Sequence, residues 1–131
     1  MADDPTPAVA GIPRLLLRLE GAALLIVAVT MYWHGGASWW LFAILILAPD
    51  LSFLGYLAGP RIGAIAYNAA HTTLAPIAFA LIGVLTASST AVVVAVIWLA
   101  HIGADRMLGY GLKYGAGFGF THLGRVGRAA G

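Results

Sequence analysis

A chain of 131 residues suits one domain, and 61% hydrophobic against 9% charged residues excludes an ordinary soluble one, which carries about 25% charged residues. The absence of cysteine excludes disulfides, thiolate metal sites and cysteine nucleophiles. A net charge of +2 is too small to point to nucleic acid.

Residues 1–13 are polar, acidic and proline-bearing, and read as a disordered leader. Four apolar runs follow, at about 15–33, 38–57, 62–85 and 91–108, each near the roughly 20 residues that span a bilayer. The first has an acidic start and a long core, unlike a cleaved signal peptide. It ends in the interfacial aromatics Tyr32 and Trp33, and the second opens on Trp39-Trp40. Ala58-Gly59-Pro60-Arg61 breaks the chain again, with Pro60 suited to a first helical turn. Pro76 predicts a kink in the third run, and Ser89 or Thr90 is the expected cap of the fourth. The expected fold class is all-α: a polytopic membrane protein with four transmembrane helices in an antiparallel bundle. Residues 110–131 form a glycine-rich basic tail without a phosphate-loop or dinucleotide fingerprint, read as an interfacial segment held at the lipid headgroups.

The basic residues give the orientation. Arg14, Arg18, Arg61, Arg106, Lys113, Arg125 and Arg128 all fall at the same ends of the runs, and the other two turns have none. Both termini are therefore expected in the cytoplasm, with the lipid bilayer as the first partner. Many Ala and Gly residues with a single Lys fit a bacterium of high genomic GC, so the expected location is a bacterial inner membrane.

Ionisable residues inside the runs gather in the cytoplasmic half. At about 1.5 Å per residue, Asp50, His71 and His101 lie roughly 10–13 Å deep, Glu20, Tyr67 and Asn68 roughly 8–9 Å, and Asp105 roughly 5 Å. His101 with Asp105, and Tyr67 with His71, share helix faces at i, i+4, and Asn68 with His71 at i, i+3. Gly55, Gly59 and Gly63, with Ala66 and Ala70, allow the second and third helices to approach closely. His34 lies on the opposite side, and His122 sits in the tail with no geometry that the sequence fixes.

A carboxylate at a helix centre in hydrocarbon costs at least about 2.5–3.5 kcal/mol, so these groups call for partners. Asp50, His71, His101 and Asp105 offer two nitrogens and two carboxylate oxygens, a set that suits a divalent ion such as zinc. Such an ion brings the pKa of bound water towards about 7, so the first functional reading is a metal-dependent membrane hydrolase. Glu20, Tyr67 and Asn68 are the candidate catalytic residues, and Arg61, Arg106 and Lys113 the candidates for holding a phospholipid headgroup or another anion. A triad on Ser52 lacks an elbow or oxyanion signature. Two other readings stand beside it. One is a proton-coupled transporter or channel built as a homo-oligomer, with Glu20, Asp50 and His71 as its relay. The other is a structural protein whose polar cluster joins its helices.

Three blocks carry a resemblance: PDLSFLGYLAGPRIGAIAYNAAH (49–71), WLAHIGADRMLGYGLKY (98–114) and THLGRVG (121–127). Together they resemble a family of small bacterial four-helix membrane proteins, domain of unknown function 4260. The resemblance spans residues 14–127 and implies a membrane location and four spans, but no activity. Pro49-Asp50 with its downstream histidines is also similar to an element of bacterial inner-membrane proteins classed as metal-dependent hydrolases.

Overall fold

The computed structural model describes residues 7–115 and 117–126. The first six residues of the expected leader, and Gly127 and Arg128 of the tail, lie outside them. Helix α1 spans Gly11–Gly35, α2 Trp39–Leu45, a 3-10 helix Ala48–Ala58, α3 Pro60–His71, α4 Leu74–Leu85 and α5 Ser89–Leu108. A two-stranded antiparallel hairpin, β1 (Phe120–Thr121) and β2 (Gly124–Arg125), pairs Phe120 with Arg125 and Thr121 with Gly124.

Among the described residues, Gly11–Gly35, Trp39–Ala58 and Ser89–Leu108 are long and apolar enough to cross a membrane. Helices α3 and α4 are bent by 43° at a short break and make a fourth span if counted as one. The chain is thus a mostly helical protein with the helices of a membrane protein.

Helices α1 and α5 form the central pair, burying Ala28 and Tyr32 against Val96, Ile97 and Ala100. Their backbones nearly touch. A Cβ on Gly103 would stand 2.7 Å from the Leu25 nitrogen and 2.8 Å from the Gly21 oxygen. Helix α4 packs on α5, and α3 packs on the 3-10 helix. The turn between these last two is made at Gly59, whose φ of 112° disfavours a side chain. Gly55 lies against Ala66, and the Tyr56 ring occupies the space where Gly63 lacks a Cβ.

The second apolar run is not one α-helix. Pro49 has no N–H to donate to the carbonyl four residues back, and its ring clashes with that carbonyl. The chain tightens instead, Asp50 N donating to Leu47 O at 3.0 Å, and continues as a 3-10 helix of 11 residues, where such runs seldom exceed four. Three residues per turn divide its side chains cleanly. Leu51, Leu54 and Leu57 are exposed; Pro49 and Ser52 line an apolar cavity; Asp50 and Phe53 line a polar one.

The expected kink at Pro76 falls at residues 72–73. Pro76 sits in the first turn of α4, where its missing N–H costs least, and the helix parts just before it. The carbonyls freed by the break find donors on α5: Trp98 Nε1 donates to Ala70 O at 2.5 Å, and Arg106 Nη2 donates to His71 O at 3.2 Å. The cap of α5 is Ser88, one residue before the expected pair, accepting from Ala91 N at 3.2 Å.

The tail differs most from expectation. Its described residues fold back over the helices. Asn68 Oδ1 accepts from Lys113 N at 2.6 Å, and Asn68 Nδ2 donates to Lys113 O at 2.8 Å, so one side chain pairs with the backbone as a strand would. Arg14 Nε donates to Leu123 O at 2.5 Å, and Arg18 Nε to Met107 O at 2.9 Å. His122 has a fixed place, its Nδ1 accepting from Leu112 N at 2.9 Å. The described end of the leader is held as well: α1 starts at Gly11, and Val9 N donates to His122 O at 2.9 Å.

Candidate metal centre

Asp50, His71, His101 and Asp105 come from three elements and converge. Each offers one ligand atom, and the four atoms lie within 4.8 Å of one another. His71 Nε2 stands 3.0 Å from Asp50 Oδ1 and 3.5 Å from Asp105 Oδ2; His101 Nε2 stands 3.1 Å from each. The two Nε2 atoms are 3.1 Å apart. Both histidines are buried, and the two aspartates are partly open.

The other ring nitrogens define the histidines' tautomers. His71 Nδ1 lies 2.9 Å from Tyr67 O, and His101 Nδ1 lies 2.5 Å from Ile46 O. A carbonyl oxygen only accepts, so each Nδ1 carries the proton and donates it there. In the neutral rings both Nε2 lone pairs then point at the two carboxylates. A backbone carbonyl behind each imidazole is also the usual outer support of a metal-bound histidine.

Local structure explains the convergence. The break at 72–73 ends α3 at His71, and the Arg106 bond to its carbonyl fixes that end against α5. His101 and Asp105 lie on one face of α5, and Gly103 between them lets α1 close behind. Tyr67 is stacked on the His71 ring at 3.7 Å between centroids and 8° between planes, and Phe53 is stacked on Tyr67 at 5.2 Å.

A cavity of about 350 Å³ opens over the carboxylates, lined by Asp50, Asp105, Tyr67, Tyr110, Lys113 and Phe118. The Lys113 side chain is buried. Its Nζ donates to Phe118 O at 2.7 Å and lies 3.7 Å from the centre of the Phe118 ring and 4.7 Å from that of Tyr67. Burial pushes the Lys113 ammonium down to about 8, with Asp105 and Asp50 pulling the other way.

The remaining candidates are placed as follows. Tyr67 joins the cluster through its ring. Asn68 lies next to it, but both ends of its amide are engaged by the Lys113 backbone, which makes it an anchor for the tail. Glu20 sits on the exposed side of α1 and outside the four-residue group. Of the three cations, Lys113 alone lines the cavity. Arg106 is directed at His71 O, and Arg61 is exposed. Ser52 faces the apolar cavity of about 280 Å³ beside Ala70, Ile97 and Trp98, and its hydroxyl donates to Pro49 O at 2.7 Å. Phe53, Tyr110 and Phe118 were not among the site residues drawn from the sequence. The i, i+3 spacing of Asp50 and Phe53 after a proline was the available signal for the first; the tail aromatics had none.

The chain matches the family described as Domain of unknown function (DUF4260) over residues 14–126. It belongs to that family. No curated protein and no solved structure matches it. The family match covers all four cluster residues and Lys113, and stops short of the last five residues.

Proposed function

We propose that this protein is a metal-dependent hydrolase of the bacterial inner membrane, with one divalent ion such as zinc held by Asp50, His71, His101 and Asp105. The observation that carries this reading is the geometry of the four donor atoms. With both rings neutral and both Nδ1 protons committed to carbonyls, four lone-pair atoms face one another at 3.0–3.5 Å along the five measured edges. A proton on one Nε2 can be directed at only one acceptor, whereas each Nε2 has three acceptors at similar distance. A cation at the centre meets all four. Zinc with bonds of about 2.0–2.2 Å in a tetrahedron separates its ligand atoms by about 3.3–3.6 Å, close to these edges.

The ion would activate water for attack on an ester or similar bond. The aspartates, which are partly open and line the cavity, are the ligands best placed to make room for a water. Tyr67 holds the His71 ring by stacking, and Asn68 holds the tail that closes the cavity. Glu20 has no part in this reading. Arg14, Arg18, Arg61, Arg106, Lys113 and the backbone position of Arg125 fall towards the same ends of the apolar segments, which supports a cytoplasmic opening for the cavity.

The test uses protein purified in detergent without a histidine tag. Zinc-loaded protein is expected to hydrolyse 4-nitrophenyl acetate or 4-nitrophenyl phosphate, to lose the activity on chelation and to regain it with zinc. Protein that holds zinc one-to-one but hydrolyses neither ester above its His71→Ala control would contradict the proposal.

A further inference from the structure

We infer that the cavity above the metal centre binds a phosphoryl group, with Lys113 as its second anchor; this rests on the metal-centre reading. The first argument is charge. Asp50, Asp105 and Lys113 line the cavity together, so two carboxylates and one ammonium leave it with one net negative charge while the histidines are neutral. A divalent ion on the four ligands turns that into one net positive charge. The cavity therefore repels anions when empty of metal and attracts them when loaded.

The second argument is donor supply. The Lys113 ammonium has three N–H groups, and Phe118 O takes one at 2.7 Å. The Phe118 and Tyr67 rings against it offer no oxygen acceptor through their faces. Lys113 lines the same cavity as Asp50 and Asp105, and among the described residues no salt bridge joins it to either, so its ammonium faces the cavity unpaired with a carboxylate. An anion that uses one oxygen on the metal, as a fifth ligand or in place of one of the partly open aspartates, and another on Lys113 needs several oxygens on one centre. A phosphoryl group has them, and a charge-assisted bond from lysine is a common way to hold it.

The third argument is location. The Lys113 backbone is clamped by Asn68 at both its N–H and its carbonyl, so the side chain is delivered to the cavity by a fixed strand-like contact. Replacement of the side chain leaves that clamp in place. Arg61 and Arg106, by contrast, do not line this cavity.

Two sources share this chemistry: a phospholipid headgroup and a soluble phosphate. The experiment is calorimetric titration of inorganic phosphate into zinc-loaded and desalted protein, into metal-free protein, and into Lys113→Met. Zinc-loaded wild type is expected to bind phosphate. Metal-free protein should bind at least about tenfold more weakly, and zinc-loaded Lys113→Met at least about tenfold more weakly at unchanged zinc content. A second arm titrates short-chain phosphatidic acid in bicelles. Binding tighter than that of inorganic phosphate, and still sensitive to Lys113→Met, assigns the source to lipid; equal or weaker binding with the same sensitivity assigns it to soluble phosphate. Equal phosphate binding with and without zinc, equal binding by Lys113→Met, or no phosphate binding by protein that does hold zinc overturns the inference and leaves the metal centre standing. Failure to hold zinc at all overturns both.

Discussion

His101→Ala is expected to lower the affinity for zinc by more than about 100-fold, since changes to the outer supports of metal sites already cost about 10–100-fold and this one removes a proposed ligand. The effect is large because of what remains. His101 Nε2 makes the two 3.1 Å approaches to Asp50 and Asp105 and the 3.1 Å approach to His71, so its loss takes away three of the five close edges. Asp105 then keeps only its longer, 3.5 Å approach to His71. His34→Ala, at the exposed far end of α1, is the matched control and should bind zinc as the wild type does. Competition against a chelator of known affinity measures both. An unchanged affinity in His101→Ala would show that the histidines act as a hydrogen-bonded pair and not as ligands.

Gly103→Leu is expected to destabilise the fold at or above the upper end of the about 1–3 kcal/mol typical of overpacking. The added Cβ would meet the Leu25 nitrogen at 2.7 Å and the Gly21 oxygen at 2.8 Å. These are backbone atoms of a long helix and cannot turn aside as a side chain would. Only a separation of α1 from α5 relieves the contact, and that separation moves the segment carrying His101 and Asp105. Gly35→Ala is the contrast. A Cβ there meets nothing within 4 Å, and at this last residue of α1 alanine gains only part of the about 1 kcal/mol of helix propensity that it has over glycine in a helix interior. Thermal unfolding in detergent, followed by circular dichroism, separates the two. Gly103→Leu melting with the wild type would mean that the two helices are not in contact as described.

The helical spans and the identity of the cluster were legible in the sequence because both are local. Runs of about 20 apolar residues have few other uses, depth along each run already brought Asp50, His71 and His101 to similar levels, and the i, i+4 spacing put Asp105 on the same face as His101. Depth is only one coordinate, however. Glu20 shares the depth but not the direction: Gly21 faces α5, and its neighbour points about 100° away round the helix. The 3-10 helix was half legible. Pro49 forbids the α-helical bond, but only the structure shows that the chain answers by tightening through Ala58, with every third residue on one face. The tail was not legible. Its course depends on Asn68 reaching Lys113, 45 residues away, and on Arg14 reaching Leu123, 109 residues away. Such contacts leave no periodic trace in a sequence. Lys113 therefore read as one of three cations at a membrane surface, and the structure makes it the buried wall of a cavity.

The cluster between the 3-10 helix, α3 and α5 is the centre of this account, and X-ray absorption at the zinc edge tests it most directly. Wild-type protein without a histidine tag is loaded with zinc, desalted and measured together with its zinc content. The predicted result is one zinc per chain, with two imidazole nitrogens and two oxygens at about 2.0–2.2 Å. Substoichiometric zinc, or a zinc surrounded by six oxygens with no imidazole scattering, would contradict it.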